Sequence, residues 1–406
     1  MIGDANSPPT LKATSDFEGL GLIDADPYYG QGLNWASTTV FFRQIRNFAI
    51  DTTAIPAGKG ATGIHWPSSQ ATSLQNIVFN MPISDDVAHV GVFMEEGSGG
   101  LLTDLTFNGG RTGLSMGNQQ YTTKNLVFNG CKTAILQIWN WGWTYIGVQI
   151  NNCGVGLDMS LVSGNGDLNV GSVTFIDSDI SNTNVGILIA RTSSTSPVTA
   201  GSLILENIRL ENVGIGVKGP NGTLLDGGTG TIDAWGTGRQ YTPNGPEQFQ
   251  GGFEASRRPS TLTNDGKYYL RTKPQYADKS SSDFLGVRSV GAKGDGSTDD
   301  TAAIQRAINQ ASSTGKILFI DHGVYVITDT ILVPPGTRIV GEAYPTLLSS
   351  GGKFADMNSP RAVLKVGETS GQSGQVELSD FMISTRGAQG GATLIEWNLD
   401  TSGTPS

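Results

Sequence analysis

Leu105-Thr-Phe107-Asn108 is followed 21 residues later by Leu126-Val-Phe128-Asn129. Each stretch places two apolar side chains on one face of a short extended segment and ends on a turn-forming residue. Working outward, the pattern recurs as Phe48-Ala-Ile50-Asp51, Ile77-Val-Phe79-Asn80 and Val148-Gln-Ile150-Asn151. Looser copies are Val173-Thr-Phe175 and Ile208-Arg-Leu210. Successive first positions lie 29, 28, 21, 22, 25 and 35 residues apart. Short strands at that interval, with no long amphipathic helix between them, predict an all-β parallel β-helix whose coils stack one on the next. A propeller blade would need about 40–45 residues and four strands. A sandwich would show hairpins with two-residue turns. The Asn or Asp closing each strand is expected to supply the left-handed turn geometry.

Composition agrees with a long, turn-rich β protein. Of 406 residues, 56 are glycine and 15% are charged, against a usual charged share of about 25%. The formal charge is −10, with no Lys/Arg block, so nucleic acid is not an expected partner. No apolar stretch is long enough for a membrane-spanning helix, and no membrane partner is expected. The opening Met1-Ile-Gly-Asp-Ala-Asn6 has neither a basic nor an apolar leader region. Cys131 and Cys153 fall three residues after Phe128 and Ile150, at the same position on successive coils. Stacked about 4.8 Å apart, they could form a disulfide or remain a pair of buried thiols.

From Gly236 the pattern lapses, and residues 236–285 read as linker chemistry, with Thr242-Pro-Asn-Gly-Pro246 and Arg257-Arg-Pro-Ser260. The predicted organisation is a first β-helix over 1–235, the linker, and a second β-helix starting within 286–406. Gly291-Ala-Lys-Gly-Asp-Gly-Ser-Thr-Asp-Asp-Thr-Ala-Ala-Ile-Gln305 leads into a helix at about 299–311. Asp299 and Asp300 are its capping residues, and Ala303, Ile304, Ala307, Ile308 and Ala311 form its apolar face. Such a helix would cap the first coil of a new solenoid.

These residues bring a family into view. The 291–305 segment resembles the opening motif of the pectate-lyase-type β-helix superfamily. Met116-Gly-Asn-Gln-Gln-Tyr121, Trp139-Asn-Trp-Gly-Trp-Thr144, Lys267-Tyr-Tyr-Leu-Arg-Thr-Lys-Pro-Gln-Tyr276, Phe354-Ala-Asp-Met-Asn358 and Ile395-Glu-Trp-Asn-Leu399 are similar to fungal glycoside hydrolase family 55, the exo-β-1,3-glucanases (glucan 1,3-β-glucosidases). The resemblance covers essentially the whole chain. It implies tandem right-handed parallel β-helices, an extracellular, monomeric protein, and inverting release of sugar from β-1,3-glucan without a cofactor. Family members begin with a signal peptide and a first copy of the opening motif. They continue past a segment like Ser402-Gly-Thr-Pro-Ser406, into a part that holds the general-acid glutamate. The resemblance therefore implies that this chain is an internal or truncated piece, with the first helix lacking its cap and the second stopping after its opening coils.

An inverting glycosidase needs an acid for the leaving oxygen and a held water on the opposite face. Gln119 and Gln120 cannot act as bases, but either can hold a water in line for attack. The family places a glutamine of the first helix in this role, with a serine one coil later in some members, where this chain reads Ile146-Gly147-Val148. The alternative is a turn ladder of amides. Trp139, Trp141 and Trp143 alternate, so on a single strand all three rings share a face. They would stack on sugar rings, with Thr144 beside them, or fill a packed interior. Trp397 and Glu396 are the corresponding candidates in the second helix. Glu95 and Glu96, in a Gly-rich turn, read as solvated. His65, His89 and His322 show no metal-ligand spacing, so no metal is expected. Asn221-Gly-Thr223 is a glycosylation sequon.

Two other functions fit the fold. One is a pectin-acting enzyme of polygalacturonase, rhamnogalacturonase or pectate-lyase type. Clustered aspartates or a calcium site would mark it, and a −10 charge disfavours an anionic substrate. The other is a non-catalytic glucan-binding β-helix.

Overall fold

The computed structural model describes residues 1–400 and divides the chain into two units. Met1–Arg258 with Asn264–Thr272 form the first; Pro259–Thr263 with the chain from Lys273 onward form the second. The family-like segment 402–406 lies outside the described residues.

Two columns of parallel strands run through the first unit. One stacks Gln44–Asp51, Ser73–Asn80, Leu101–Asn108, Gln120–Asn129, Gly142–Asn151 and Ser172–Ser181, each bonded to the next. The other stacks Gly21–Asp24, Thr62–His65, Val90–Met94, Thr112–Gly117, Thr133–Trp139, Val155–Met159 and Val185–Ile189. This is the parallel β-helix that the repeat predicts. Ile50, Phe79, Phe107, Phe128, Ile150, Ile180 and Leu210 lie in register at the heart of its core. Phe107 stacks between Phe79 and Phe128 at ring separations of 4.7 and 4.9 Å. Burying each such side chain contributes about 1.5–3 kcal/mol.

The repeat differs from the expected one in two respects. The Asn after each apolar pair is not left-handed. Instead Asn80, Asn108, Asn129 and Asn151 pass amide hydrogen bonds from coil to coil at 3.0 Å, ending on Ser181 at 2.9 Å. The positive-φ corner comes just before the pair, at Asn47, Asn76, Asp104, Asn125, Gly147, Asp177 and Asn207. These residues bend each long strand, and an interior corner needs a short polar side chain that tolerates αL. The second difference is the coil after Val148. Val173 and Phe175 pair with Trp143 and Tyr145, not with Val148 and Ile150. The true equivalent is Ser178-Asp-Ile180, whose Ser178 hydroxyl accepts from the Val148 N–H at 3.0 Å. A polar residue in the first core position hid this coil.

Residues 236–242 and 245–252, expected as linker, are strand. Ser202–Gly219 turns antiparallel into Gly222–Thr242, which pairs with Gly245–Gly252. Much of the second of these strands faces solvent and is rich in Gly and Thr, so its alternation carries little apolar signal. Asn221 sits exposed in the first turn. Part of the remaining linker is an ordered strap. Lys267 pairs with Asp179 at 3.0 Å, and the Tyr268 N–H donates to Asp177 at 2.8 Å. Lys124 donates to the Arg271 carbonyl at 2.8 Å, and Thr272 donates to Asp104 at 3.0 Å. Leu270 fills the one corner without an Asn or Asp: a Cβ added at Gly147 would lie 2.1 Å from its Cδ1. Gly147→Asn keeps a residue suited to a φ of +68° but clashes with Leu270. The expected loss is about 1–3 kcal/mol in denaturant unfolding, largely recovered in Gly147→Asn/Leu270→Ala.

The second unit is a short three-sided coil of parallel strands. Its sheets run Phe284–Gly286, Ile317–Ile320, Arg338–Gly341, Glu377–Ser379; Asp295–Asp299, Val324–Ile327, Thr346–Ser349, Met382–Thr385; and Ile331–Val333, Arg361–Val366, Ala392–Trp397. The helix spans Thr301–Thr314, and all five expected apolar residues are buried. Capping falls to Asp299, which accepts from the Thr301 N–H at 3.0 Å. Asp300 turns its carboxylate back onto the Lys293 and Gly294 N–H groups, at 2.7 and 2.9 Å. Two loop amides offer a carboxylate more donors than the single helix N–H. No helix among the described residues is long and apolar enough to cross a membrane.

Candidate functional site

In the first unit, the second strand column ends in a series of turns where polar and aromatic side chains gather. His65 lies opposite Asp24 on the neighbouring strand and opposite Phe93 on the other side. The imidazole is fully buried. Its Nδ1 meets Asp24 Oδ1 at 2.7 Å, and its Nε2 meets both Glu95 oxygens at 2.9 Å. Tyr28 and Phe93 stack on its two faces at 5.6 and 5.4 Å. The Tyr28 hydroxyl donates to Glu95.

Burial alone would lower the His65 pKa, but hydrogen bonds to Glu95 and Asp24 outweigh it and raise the value. Burial would raise the Glu95 pKa, but donation from His65 and Tyr28 holds it below the usual carboxylate range. Burial and the Glu95 carboxylate push the Tyr28 phenol up. These shifts favour a charged His65 imidazole against an ionised Glu95. Glu95 was expected to be solvated and His65 isolated. Both expectations fail, because 41 and 30 residues of sequence each amount to one step of the coil. Glu95 accepts from two side chains, and its lowered pKa suits it poorly to donate a proton. Glu96 remains exposed and accepts from Ser37 at 3.1 Å. Trp35 stands exposed on the loop after Asp26, with Arg43 over its ring.

The tryptophans do not share one face. The chain turns at Asn140 and Trp141, which separates the strands Thr133–Trp139 and Gly142–Asn151. Asn140 is buried, and its side-chain oxygen accepts from Gly171 and Ser172 N–H groups at 2.9 and 3.1 Å. Trp143 is 2% exposed and belongs to the core, stacked on Tyr121 at 4.9 Å. Its indole N–H donates to the Asn118 carbonyl at 3.1 Å. Trp139 is half-buried, and its indole N–H donates to the Glu95 carbonyl at 2.6 Å. Gly117 lets that ring lie flat, since a Cβ there would sit 2.5 Å from it. Only Trp141 is displayed, at 63% exposure. Thr144 is half-buried between Thr122 and Thr174.

Gln119 and Gln120 lie one coil from Trp141. The Gln119 carbonyl accepts from the Trp141 and Gly142 N–H groups at 2.7 and 3.2 Å, and Gln120 pairs with Gly142. Tyr121, Trp143 and Asn118 hold this backbone from beneath. Neither glutamine side chain is hydrogen-bonded within the described residues, and Gln120 is exposed while Gln119 is partly so. They are not members of an amide ladder.

In the second unit, Trp397 is 47% exposed and Glu396 half-buried at the end of Ala392–Trp397. Glu396 accepts from Asn398 at 2.8 Å and lies 3.7 Å from the Lys365 ammonium. Cys131 and Cys153 are buried free thiols, not a disulfide, and Cys153 Sγ donates to the Asn151 carbonyl at 3.4 Å. The Cys153 contact and burial push the Cys131 thiol up. Among the described residues no cluster of three or more His, Cys, Asp or Glu side chains could hold a metal ion.

A family model described as rhamnogalacturonase A/epimerase, pectate lyase-like, matches residues 1–158 and 284–404. The chain belongs to this family. Among curated proteins, it is 44% identical to a glucan 1,3-beta-glucosidase of Cochliobolus carbonum, over 99% of this chain and 51% of that protein. A probable glucan endo-1,3-beta-glucosidase of Arthroderma benhamiae is 36% identical over 98% of this chain and 56% of its own length. A non-secreted LysM effector of Penicillium expansum, LysM19, is 37% identical over 99% of this chain and 33% of its length. The resemblance to the β-1,3-glucanases is thus borne out. The chain spans about half the length of the first two relatives.

Proposed function

We propose that this chain is part of an exo-acting, inverting β-1,3-glucan hydrolase that works outside the cell. Trp141 carries the apolar face of a glucosyl ring, and Gln119 and Gln120 hold the attacking water. The observation that carries this reading is their placement. A displayed indole and two unbonded amides share one corner on adjacent coils, and a buried aromatic pier keeps that corner rigid. A rigid corner is what in-line positioning of a water requires. Trp139 steadies the approach through the Glu95 carbonyl. The resemblance to the family implies that the acid that protonates the leaving oxygen is a glutamate outside these 406 residues, and the lowered pKa of Glu95 makes it poorly suited to that part. In the second unit, Trp397 and Glu396 are the candidates for glucan contact. The names of the relatives support a neutral glucan over pectin, as does the net negative charge.

The test is laminarin with the chain as it stands. Binding is expected, with glucose release at background. Trp141→Ala should weaken binding by about tenfold, roughly 1.4 kcal/mol, with an unchanged melting temperature. Robust glucose release would overturn the assignment of the acid. Binding unaffected by Trp141→Ala would overturn the platform.

A further inference from the structure

The loop after Val185–Ile189 carries a buried charge with no countercharge. Arg191 is 5% exposed. Its guanidinium donates to the Ala200 carbonyl, to the Val198 carbonyl at 2.9 Å and to the Gln248 side-chain oxygen at 2.5 Å. All three acceptors are neutral. Arg239, on the adjoining strand Gly222–Thr242, stands in register opposite Gln248, the residue whose side chain Arg191 bonds, and its charge disfavours that of Arg191 further. Its own acceptor is also neutral, the Pro246 carbonyl at 3.3 Å. Elsewhere in this unit, a half-exposed arginine, Arg209, pairs with Asp179, and a more buried one, Arg258, with Asp177 and Glu206.

A buried cation is costly unless it is paired. The bonds to Val198 and Ala200 explain how Arg191 buckles its loop, but they leave its charge unmatched. Arg191 also lines a cavity of about 250 Å³, together with Thr192, Ser193, Thr237, Gln248 and Phe249. The cavity is thus lined by residues that carry guanidinium and hydroxyl groups, which are suited to an oxyanion. Phe249, partly buried, adds a ring surface to the wall.

We propose that the cavity beside Arg191, with Arg239 at its rim opposite Gln248, is a binding site for one oxyanion group, the carboxylate or sulfate of a small ligand. The site is built from residues other than those of the glucan face. A uronate carboxylate and a free inorganic anion share this chemistry. In the uronate case the sugar ring lies on Phe249.

Isothermal titration of the full chain with sodium glucuronate, sodium sulfate and glucose, at ionic strength fixed with sodium chloride, tests the proposal. Both anions are expected to bind saturably and glucose not at all. Glucuronate binding tighter than sulfate would assign a carboxylated sugar; equal binding would assign the free anion. Arg191→Gln removes the bonds that shape its loop, so Arg239→Gln and Ser193→Ala carry the test. Arg239→Gln should weaken both anions at least about fivefold with an unchanged melting temperature, and Ser193→Ala should weaken them less. No saturable binding of either anion, or affinities untouched by Arg239→Gln, would overturn the site.

Discussion

Replacing His65 with Ala is expected to destabilise the first unit by about 3–5 kcal/mol, the cost of removing one partner from a buried ionic group. The imidazole is fully buried, and Asp24 and Glu95 are respectively 24% and 18% exposed at their side chains. Without His65, both carboxylates stay partly desolvated and face one another across an empty slot between Tyr28 and Phe93. The loss should depend on pH. The folded His65 pKa is raised, so its contribution is complete below the ordinary imidazole value of about 6.5 and fades as pH rises through the higher folded value. The folded Glu95 pKa is lowered, so its contribution is complete above its ordinary value of about 4.3 and fades as pH falls through the lower folded value. The gap between wild type and His65→Ala should therefore be widest between about pH 4.3 and 6.5, and narrow on either side. Chemical denaturation from pH 3 to 9 measures it. A gap that does not vary with pH would mean that the cluster is not ionised as described. The same variant should loosen the loop bearing Tyr28 and Trp35, because its anchor is the Glu95 carboxylate.

The β-helix was legible because its signal is local. Three residues of alternation show a strand, and Phe79, Phe107 and Phe128 declare the stacking by repeating in phase. The cap helix was legible for the same reason, with a 3.6-residue apolar period and turn residues before it. What failed depended on the partner coil. Asp24, His65 and Glu95 share no local motif; only the lengths of the intervening coils bring them together. That signal was available once the register was assigned, because His65 falls opposite Asp24. The three tryptophans misled for the opposite reason. Their alternation is that of one strand, but Asn140 spends its side chain on Gly171 and Ser172 and turns the chain between them. Gln119 and Gln120 were legible as residue types. That their amides stay unbonded depends on the neighbouring coils, which satisfy only their backbone.

The strap over residues 264–272 shows how a segment with linker composition can still be fixed in place, and Arg258→Ala should release it. The Arg258 guanidinium bonds Asp177 at 2.5 Å, Glu206 at 2.7 Å and the Gly266 carbonyl at 3.0 Å, with its plane 4.5 Å over the Tyr268 ring. The Asp177 side chain is fully buried and Glu206 nearly so. Asp177 also accepts from Asn207 at 2.6 Å and from the Tyr268 N–H at 2.8 Å, from a corner of positive φ. Removing the arginine leaves two buried anions facing each other without a cation. The expected loss is again about 3–5 kcal/mol. Lys267→Ala removes only a half-exposed pair with Asp179, so less than about 1 kcal/mol is expected. The two losses differ because burial, not the count of ion pairs, sets the scale. Tryptic digestion under native conditions reads the consequence directly. Cleavage after Lys267 and Arg271 should be slow in wild type and rapid in Arg258→Ala. Equal cleavage rates in the two proteins would mean that the contacts of Lys124, Leu270 and Thr272 hold the strap without Arg258.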